Sequence, residues 1–311
     1  MKTFLSRHSP LVILAVLCAV LAVLSPEFRT TGNITSVAYR TAVVGIMAVG
    51  QTLVILTAGI DLSVGSVAGL GGMVACVVMG PSVGLPIPLG ILAGAAIGLF
   101  CGTLNGFVIT KGRVPPFIVT LGMMMIARGA TLLISGGKAV SGPGGYFAYL
   151  GGAQGWFVPV AITLAITAFF SVALAFTRFG RSLYAVGGNL AAARLSGLRV
   201  DWIRIKAYAL SGTCAGFAGV MLASRTSVAS PNAGTGNELD AIAACVIGGA
   251  SLMGGQGGAI GALAGALIMN VLVNFCNLKK LDPYWQMVLV GLLIIAMVYY
   301  DSRRKQKAGL M

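Results

Sequence analysis

The run LPIPLGILAGAAIGLFCGTLNGFVIT (85–110) contains no charged residue across 26 positions. A helix of about 20 apolar residues crosses the hydrocarbon core of a bilayer, so this stretch is long enough to span it. Its glycines, Gly90, Gly94, Gly98, Gly102 and Gly106, fall every fourth residue and keep one helical face small. The rest of the chain matches this pattern. Of its 311 residues 57% are apolar and 9% charged, mean hydropathy is +0.94, and Gly contributes 45 residues. A soluble domain carries about 25% charged residues, and a disordered chain needs low hydrophobicity, so both classes are excluded. The chain reads as an all-α integral membrane protein, a single transmembrane unit over 1–311.

Ten apolar runs follow one another: 11–28, 37–58, 62–80, 85–110, 115–135, 158–177, 207–224, 238–252, 258–278 and 283–300. The first has Lys2 and Arg7 ahead of it but lacks a small-x-small cleavage site, so it reads as a retained helix. Ten spans put both termini on one side. With the termini inside, fourteen Lys and Arg lie inside and five outside (Arg29, Lys138, Arg225, Lys279, Lys280), while Arg40 and Arg128 fall within spans. That asymmetry is the positive-inside pattern, and it gives the net charge of +14 a topological reading instead of a nucleic-acid one. Small pairs at i and i+4 recur at Gly65 and Gly69, Gly212 and Gly216, and Gly257, Gly261 and Gly265. Gly94, Gly98 and Pro116 match Gly261, Gly265 and Pro283 at one offset, 167, five spans apart. An odd number of spans between copies describes an inverted repeat.

Residues able to carry chemistry are few. His8 is the one histidine, and the six cysteines lie in apolar runs without metal-ligand spacing. Asp61, in Gly59-Ile60-Asp61-Leu62-Ser63, reads as the N-cap of the third span, and that break reads as either a cytoplasmic turn or a re-entrant bend. Thr235 and Glu238 read as a capping box opening the eighth span. Arg40 is expected within a turn of a helix end, whereas Arg128 lies deeper and needs a partner. Mid-membrane acids are scarce, which argues against ion coupling. The nearest approach to a phosphate-binding loop, Gly136-Gly137-Lys138-Ala139, lacks the hydroxyl and the spacing. Neutral polar residues Gln51, Asn105, Thr120, Asn270 and Asn274 are the candidates for a wet pathway suited to an uncharged polyhydroxyl solute, or for interhelical hydrogen bonds.

The long inside segment 178–206 holds six cations. Asn189 is a good N-cap, Leu190–Ser196 is rich in Ala and Leu, and Gly197 is a good terminator. The segment predicts a two-turn helix outside the membrane that offers Leu190 and Leu195 to a soluble partner.

Four stretches, GQTLVILTAGIDLSVGS (50–66), TLNGFVITKGRVPPFIVTLGMMMIARG (103–129), GRSLYAVGGNLAAARLSGLRV (180–200) and PNAGTGNELDAIAACVIGGASLMGGQG (231–257), resemble the permease subunit of ribose-type bacterial ABC importers. The resemblance implies alternating access in the inner membrane, and the charge asymmetry places both termini on the cytoplasmic side. The resemblance implies a cytoplasmic ATPase that binds ATP and Mg, an extracytoplasmic sugar-binding protein, and a second permease copy or homologue; no cofactor would reside in this chain. It also implies that 180–200 is the coupling segment, with Gly187, Gly188, Asn189, Arg194, Leu195, Ser196 and Gly197 at the matching positions. The Gly-rich segment 136–157 departs from those motifs. The competing expectations are a nucleoside, autoinducer or branched-chain amino acid cargo, an ion-driven carrier, or a channel. A zwitterionic cargo would require a paired acid and base in the pathway, and sequence alone shows none.

Overall fold

A computed structural model describes residues 9–152, 155–282, 284–292, 295, 296 and 299. Lys2, Arg7, His8, Pro283 and the cations at 303–307 lie outside the described residues, as does part of the tenth run, of which 284–292 is helical. In chain order the helices are α1 (Ser9–Leu24), α2 (Thr31–Leu56), α3 (Val64–Met79), α4 (Ile87–Lys111), α5 (Pro116–Ser135), α6 (Tyr146–Leu150), α7 (Phe157–Phe176), α8 (Arg178–Gly188), α9 (Leu190–Leu195), α10 (Val200–Thr226), α11 (Asn237–Ile247) and α12 (Ala259–Leu278). A 3-10 turn, Pro26–Arg29, follows α1. Two short strands, β1 (Val140–Ser141) and β2 (Val228–Ala229), pair antiparallel and join the 136–157 segment to the end of α10.

All ten apolar runs carry helix, but not at equal length. Among the described residues six helices (α2, α4, α5, α7, α10 and α12) are long and apolar enough to cross a membrane. At 1.5 Å per residue, α3 and α11 rise only about 24 Å and 16 Å, short of the roughly 30 Å core. The expected run 238–252 stops at Ile247, because Gly248, Gly249 and the glycines at 254–258 favour turns. Conversely α2 and α10 start earlier than their apolar runs, at Thr31 and Val200. Their first turns carry polar residues that hydropathy alone assigns to loops. Arg40 is therefore the tenth residue of α2 and not an end residue.

The two long central helices are α2 and α10, nearly sheathed by protein. Each is packed by elements of the other half: α4 and α3 lie on α10, while α12 and α11 lie on α2. The predicted repeat sets Gly94 and Gly98 of α4 against Gly261 and Gly265 of α12. Its glycines do related work, since a Cβ on Gly94 would meet the Gly71 carbonyl of α3 and one on Gly265 the Ala244 carbonyl of α11.

The α4–α10 contact is the most extensive in the bundle. A Cβ on Gly98 would strike the Gly212 carbonyl, one on Gly102 the Tyr208 carbonyl, and one on Gly216 the Gly94 carbonyl. Backbone lies on backbone because no side chain intervenes. In lipid, where apolar burial gives helices no reason to associate, this close van der Waals contact holds them together. Outward faces of α4, α5 and α7 present Phe100, Phe107, Leu133 and Phe176, all exposed, as a lipid-facing surface does.

Gly102→Ala places a methyl into backbone that cannot give way. It should lower the melting temperature in detergent with a cost of about 1–3 kcal/mol or more. Gly122 of α5 meets nothing within 4 Å of its would-be Cβ, so Gly122→Ala should be neutral or mildly stabilising.

Candidate functional site

Two helix breaks reach into the bundle. The first, 57–63, leaves α2 and turns back inward. Ala58 is exposed while Gly59, Asp61 and Ser63 are buried, so the bend starts at the protein surface and runs back between the helices. Asp61 does not cap α3 itself. Its Oδ1 accepts from the Ser63 amide at 2.9 Å and the Ser63 hydroxyl at 2.6 Å, an Asx turn just ahead of the helix. Asn105 of α4 donates to Ser63 Oγ at 3.0 Å. Tyr208 of α10 and Thr120 of α5 each place a hydroxyl 3.4 Å from the Ile60 carbonyl.

The second break, 230–236, joins α10 to α11. Arg128 of α5, which needed a partner, finds two: Nη1 donates to the Pro231 and Ala233 carbonyls, each at 2.9 Å. Gly236 holds the N-cap at φ 85°, so the expected capping box is only half made. Glu238 Oε1 accepts from the Gly236 amide at 3.3 Å, but Thr235 donates to Asn232 O instead. This break lies on the first turns of α3, where a Cβ on Gly65 would meet the Gly234 carbonyl and one on Gly69 the Ala233 carbonyl, 2.6 Å away. The N-termini of the two short helices thus meet inside the bundle. Helix α5 touches both breaks, through Thr120 and Arg128, about 12 Å apart along its axis.

Of the five neutral candidates, Gln51, Asn105 and Thr120 are fully buried. Asn105 and Thr120 brace the first break, and neither amide atom of Gln51 has a hydrogen-bond partner. Asn274 exchanges two hydrogen bonds with Asn33, at 3.0 and 2.6 Å, and ties α12 to the start of α2. Asn270 lines a cavity.

That cavity, ≈ 650 Å³, lies between α2, the end of α10, the second break, the first turn of α11, and α12. Charged residues line it: Arg40, Arg225 and Asp240, joined by Asn237 and Asn270. Arg225 lies over the Tyr39 ring at 3.7 Å, a cation–π contact that fixes its guanidinium. Sequence reading missed this gathering of acid and base around one cavity, because the three residues come from three separate helical segments and meet only in the fold.

At the opposite end lies the 178–206 segment. Residues 178–188, to which sequence reading assigns no helix, form the amphipathic helix α8, with Gly180, Leu183 and Val186 buried at helical spacing. Asn189 caps α9 as expected, its Oδ1 accepting from Ala192 N at 2.9 Å. Helix α9 ends at Gly197, φ 79°, with the Leu198 amide donating to Ala193 O. Leu195 is 89% exposed, the most exposed large apolar side chain described. Arg194 and Lys111 both pair with Asp201, at 3.6 and 2.9 Å, beside a cleft also lined by Arg113, Arg199 and Trp202. Gly187 sits against the Leu56 carbonyl at the end of α2, and Gly255 N donates to that carbonyl at 3.0 Å. Gly188 lies against Gly255, and Tyr184 donates to Gly257 O at 2.8 Å. Ser196 Oγ donates back to Ala192 O at 2.9 Å.

Arg128→Gln removes both hydrogen bonds from a cationic donor and strands two carbonyls away from water. The expected cost is about 2–4 kcal/mol. Hydrogen exchange of the amides over 229–238 should quicken in the variant while the α4–α10 amides keep their protection.

Residues 33–298 match the family described as branched-chain amino acid transport system / permease component. The chain is 42% identical to the ribose import permease protein of Escherichia coli strain K12, covering 98% of this chain and 96% of that one. It is 38% identical to the D-allose transport system permease protein of the same strain, covering 96% and 92%. The autoinducer 2 import system permease protein of Salmonella typhi is 34% identical, over 97% and 88%. No solved structure matches the chain. With its multi-pass helical bundle, the chain belongs to this family of transport-system permeases.

Proposed function

We propose that this chain is the permease subunit of an ABC importer for a monosaccharide, and that it works by alternating access in the bacterial inner membrane with both termini cytoplasmic. The observation that carries the reading is α9. A capped six-residue helix that exposes Leu195 at its end, beside a cleft with four cations and one acid, has the chemistry of a docking element for a soluble, acidic partner. A cytoplasmic ATPase is that partner; it binds ATP and Mg, and this chain needs no nucleotide site of its own. An extracytoplasmic sugar-binding protein delivers cargo, and a second permease copy or homologue completes the membrane part. Gly187, Gly188, Asn189, Arg194, Leu195, Ser196 and Gly197 form the coupling segment. The shift between states requires differential affinity, which ATP binding to the partner supplies.

Ribose and allose are the cargoes named for two of the relatives described, which supports a monosaccharide. One observation favours a second reading. The cavity brings Asp240 together with Arg40 and Arg225, the pairing a zwitterionic amino acid would require. Uptake by proteoliposomes containing the complete complex separates them: excess leucine should leave ribose uptake unchanged if the cargo is sugar. Transport by this chain alone under a proton or sodium gradient would overturn the ABC reading.

Leu195→Glu puts a carboxylate where the acidic partner docks and disturbs no packing in the permease. It should abolish sugar-stimulated ATP hydrolysis by the reconstituted complex while the variant elutes as a folded protein. Unchanged hydrolysis would make α9 an ordinary loop helix. Arg194→Glu should act in the same direction, with an added loss of the Asp201 ion pair.

A further inference from the structure

The sugar reading leaves open where cargo touches this chain. The cavity at the end of the bundle that holds Arg225, Lys279 and Lys280 answers with unusual chemistry. Three of its walls carry charge: Arg40 from α2, Arg225 from the end of α10, and Asp240 from the first turn of α11. Arg40 and Arg225 are exposed at the mouth and Asp240 is half-buried, so all three can reach a solute that enters from outside. Among the described residues these three form no ion pair with one another or with any other group, although they line the same space. They stand around the opening instead of closing it. Asn270 spends its Nδ2 on the Ala266 carbonyl at 2.9 Å, and among the described residues its Oδ1 makes no hydrogen bond.

Two further features single the cavity out. Its floor is a helix break, with Ala233 and Asn237 among the lining residues, and that break is pinned from behind by Arg128. A discontinuous helix with its N-terminus at a polar cavity is a recurrent way to hold a solute inside a membrane protein. The volume, ≈ 650 Å³, also falls within the range of about 300–1,000 Å³ typical of small-molecule pockets. Tyr39 adds an aromatic wall, and its cation–π contact fixes the donor fork of Arg225.

We propose that this cavity is a cargo site within the single permease chain, where Asp240, Asn270 and Arg225 hydrogen-bond one polyhydroxyl sugar in transit. The inference rests on the monosaccharide reading. A carboxylate accepts from two vicinal hydroxyls, a guanidinium donates to ring or hydroxyl oxygens, and an amide does both, so the set reads stereochemistry without demanding a charged cargo. The permease then contributes to selectivity on its own account, beyond what the delivering protein supplies. It also explains why acid and base coexist in a pathway for neutral solutes.

The test uses the complete complex, with ATPase and binding protein, in proteoliposomes. Asp240→Asn and Asn270→Leu should each cut ribose uptake about ten-fold, the loss of one or two strong hydrogen bonds. Asn270→Ser should change the ratio of ribose to allose uptake. Because a variant can fail for structural reasons, a second measurement uses Ser230→Cys, an exposed position on the rim. Rising ribose concentration should slow its labelling by a membrane-impermeant maleimide, and an equal concentration of sodium chloride should not. Wild-type uptake and selectivity in the Asp240 and Asn270 variants, or labelling indifferent to ribose, would overturn the cargo site while the importer reading stands. A wild-type complex that takes up no sugar would sink the importer reading itself.

Discussion

A bilayer gives a broken helix no water to bond with. Every free carbonyl and amide at a break must be met by the protein, and the arrangement of this molecule follows from meeting them twice. At the first break Asp61, Ser63 and Asn105 form a chain of hydrogen bonds around the turn. At the second, Arg128 satisfies two carbonyls with one guanidinium. Neutral carbonyls suit an internal arginine because they hold it without cancelling its charge. The field near the N-termini of α3 and α11 therefore stays positive, and the acids Asp61, Glu238 and Asp240 gather there.

Bracing both breaks requires helices close enough to reach them, and that places a demand on glycine. Asn105 lies one residue from Gly106 and three from Gly102, on the α4 face that meets α10 backbone to backbone. Tyr208, which reaches the first break, contributes the carbonyl that Gly102 packs against. The glycine stripe and the polar brace are two parts of one contact. Gly50 of α2 makes a similar approach to Ser211 of α10. Small-residue contacts of this kind carry no interlocked side chains, so they resist separation in lipid while offering little resistance to sliding.

Much of this was legible in the sequence, and the limits have physical causes. Hydropathy found ten helical runs because lipid-facing and core-facing positions are both apolar. It overextended the eighth run to residue 252, because glycines count as apolar while Gly248 and Gly249 end the helix. The same averaging missed the first turns of α2 and α10, which are polar but helical. The α9 cap was readable from Asn189 and Gly197, since capping is local chemistry. Helix α8 was not, because its signal is the spacing of Gly180, Leu183 and Val186 against residues far away in sequence. Asn105 and Asn270 were legible as polar residues in spans. That one braces a break and the other faces a cavity is tertiary information. The set of Arg40, Arg225 and Asp240 had no local signal at all.

The distance between the two ends of the molecule is short in mechanical terms. The C-terminal end of α8 touches the glycine loop at 254–257, through Gly187, Gly188 and Tyr184. That loop follows α11, and α11 runs about 16 Å to the second break and the cavity floor. A displacement of the proposed coupling segment therefore reaches Asp240 through one short helix, held at its far end by Arg128. Helix α2 gives a parallel route, because its terminal carbonyl at Leu56 is bonded to Gly255 and its N-terminal half carries Tyr39 and Arg40. Two short struts therefore join the proposed coupling segment to one cavity, and a shift at either end has two direct routes to the other.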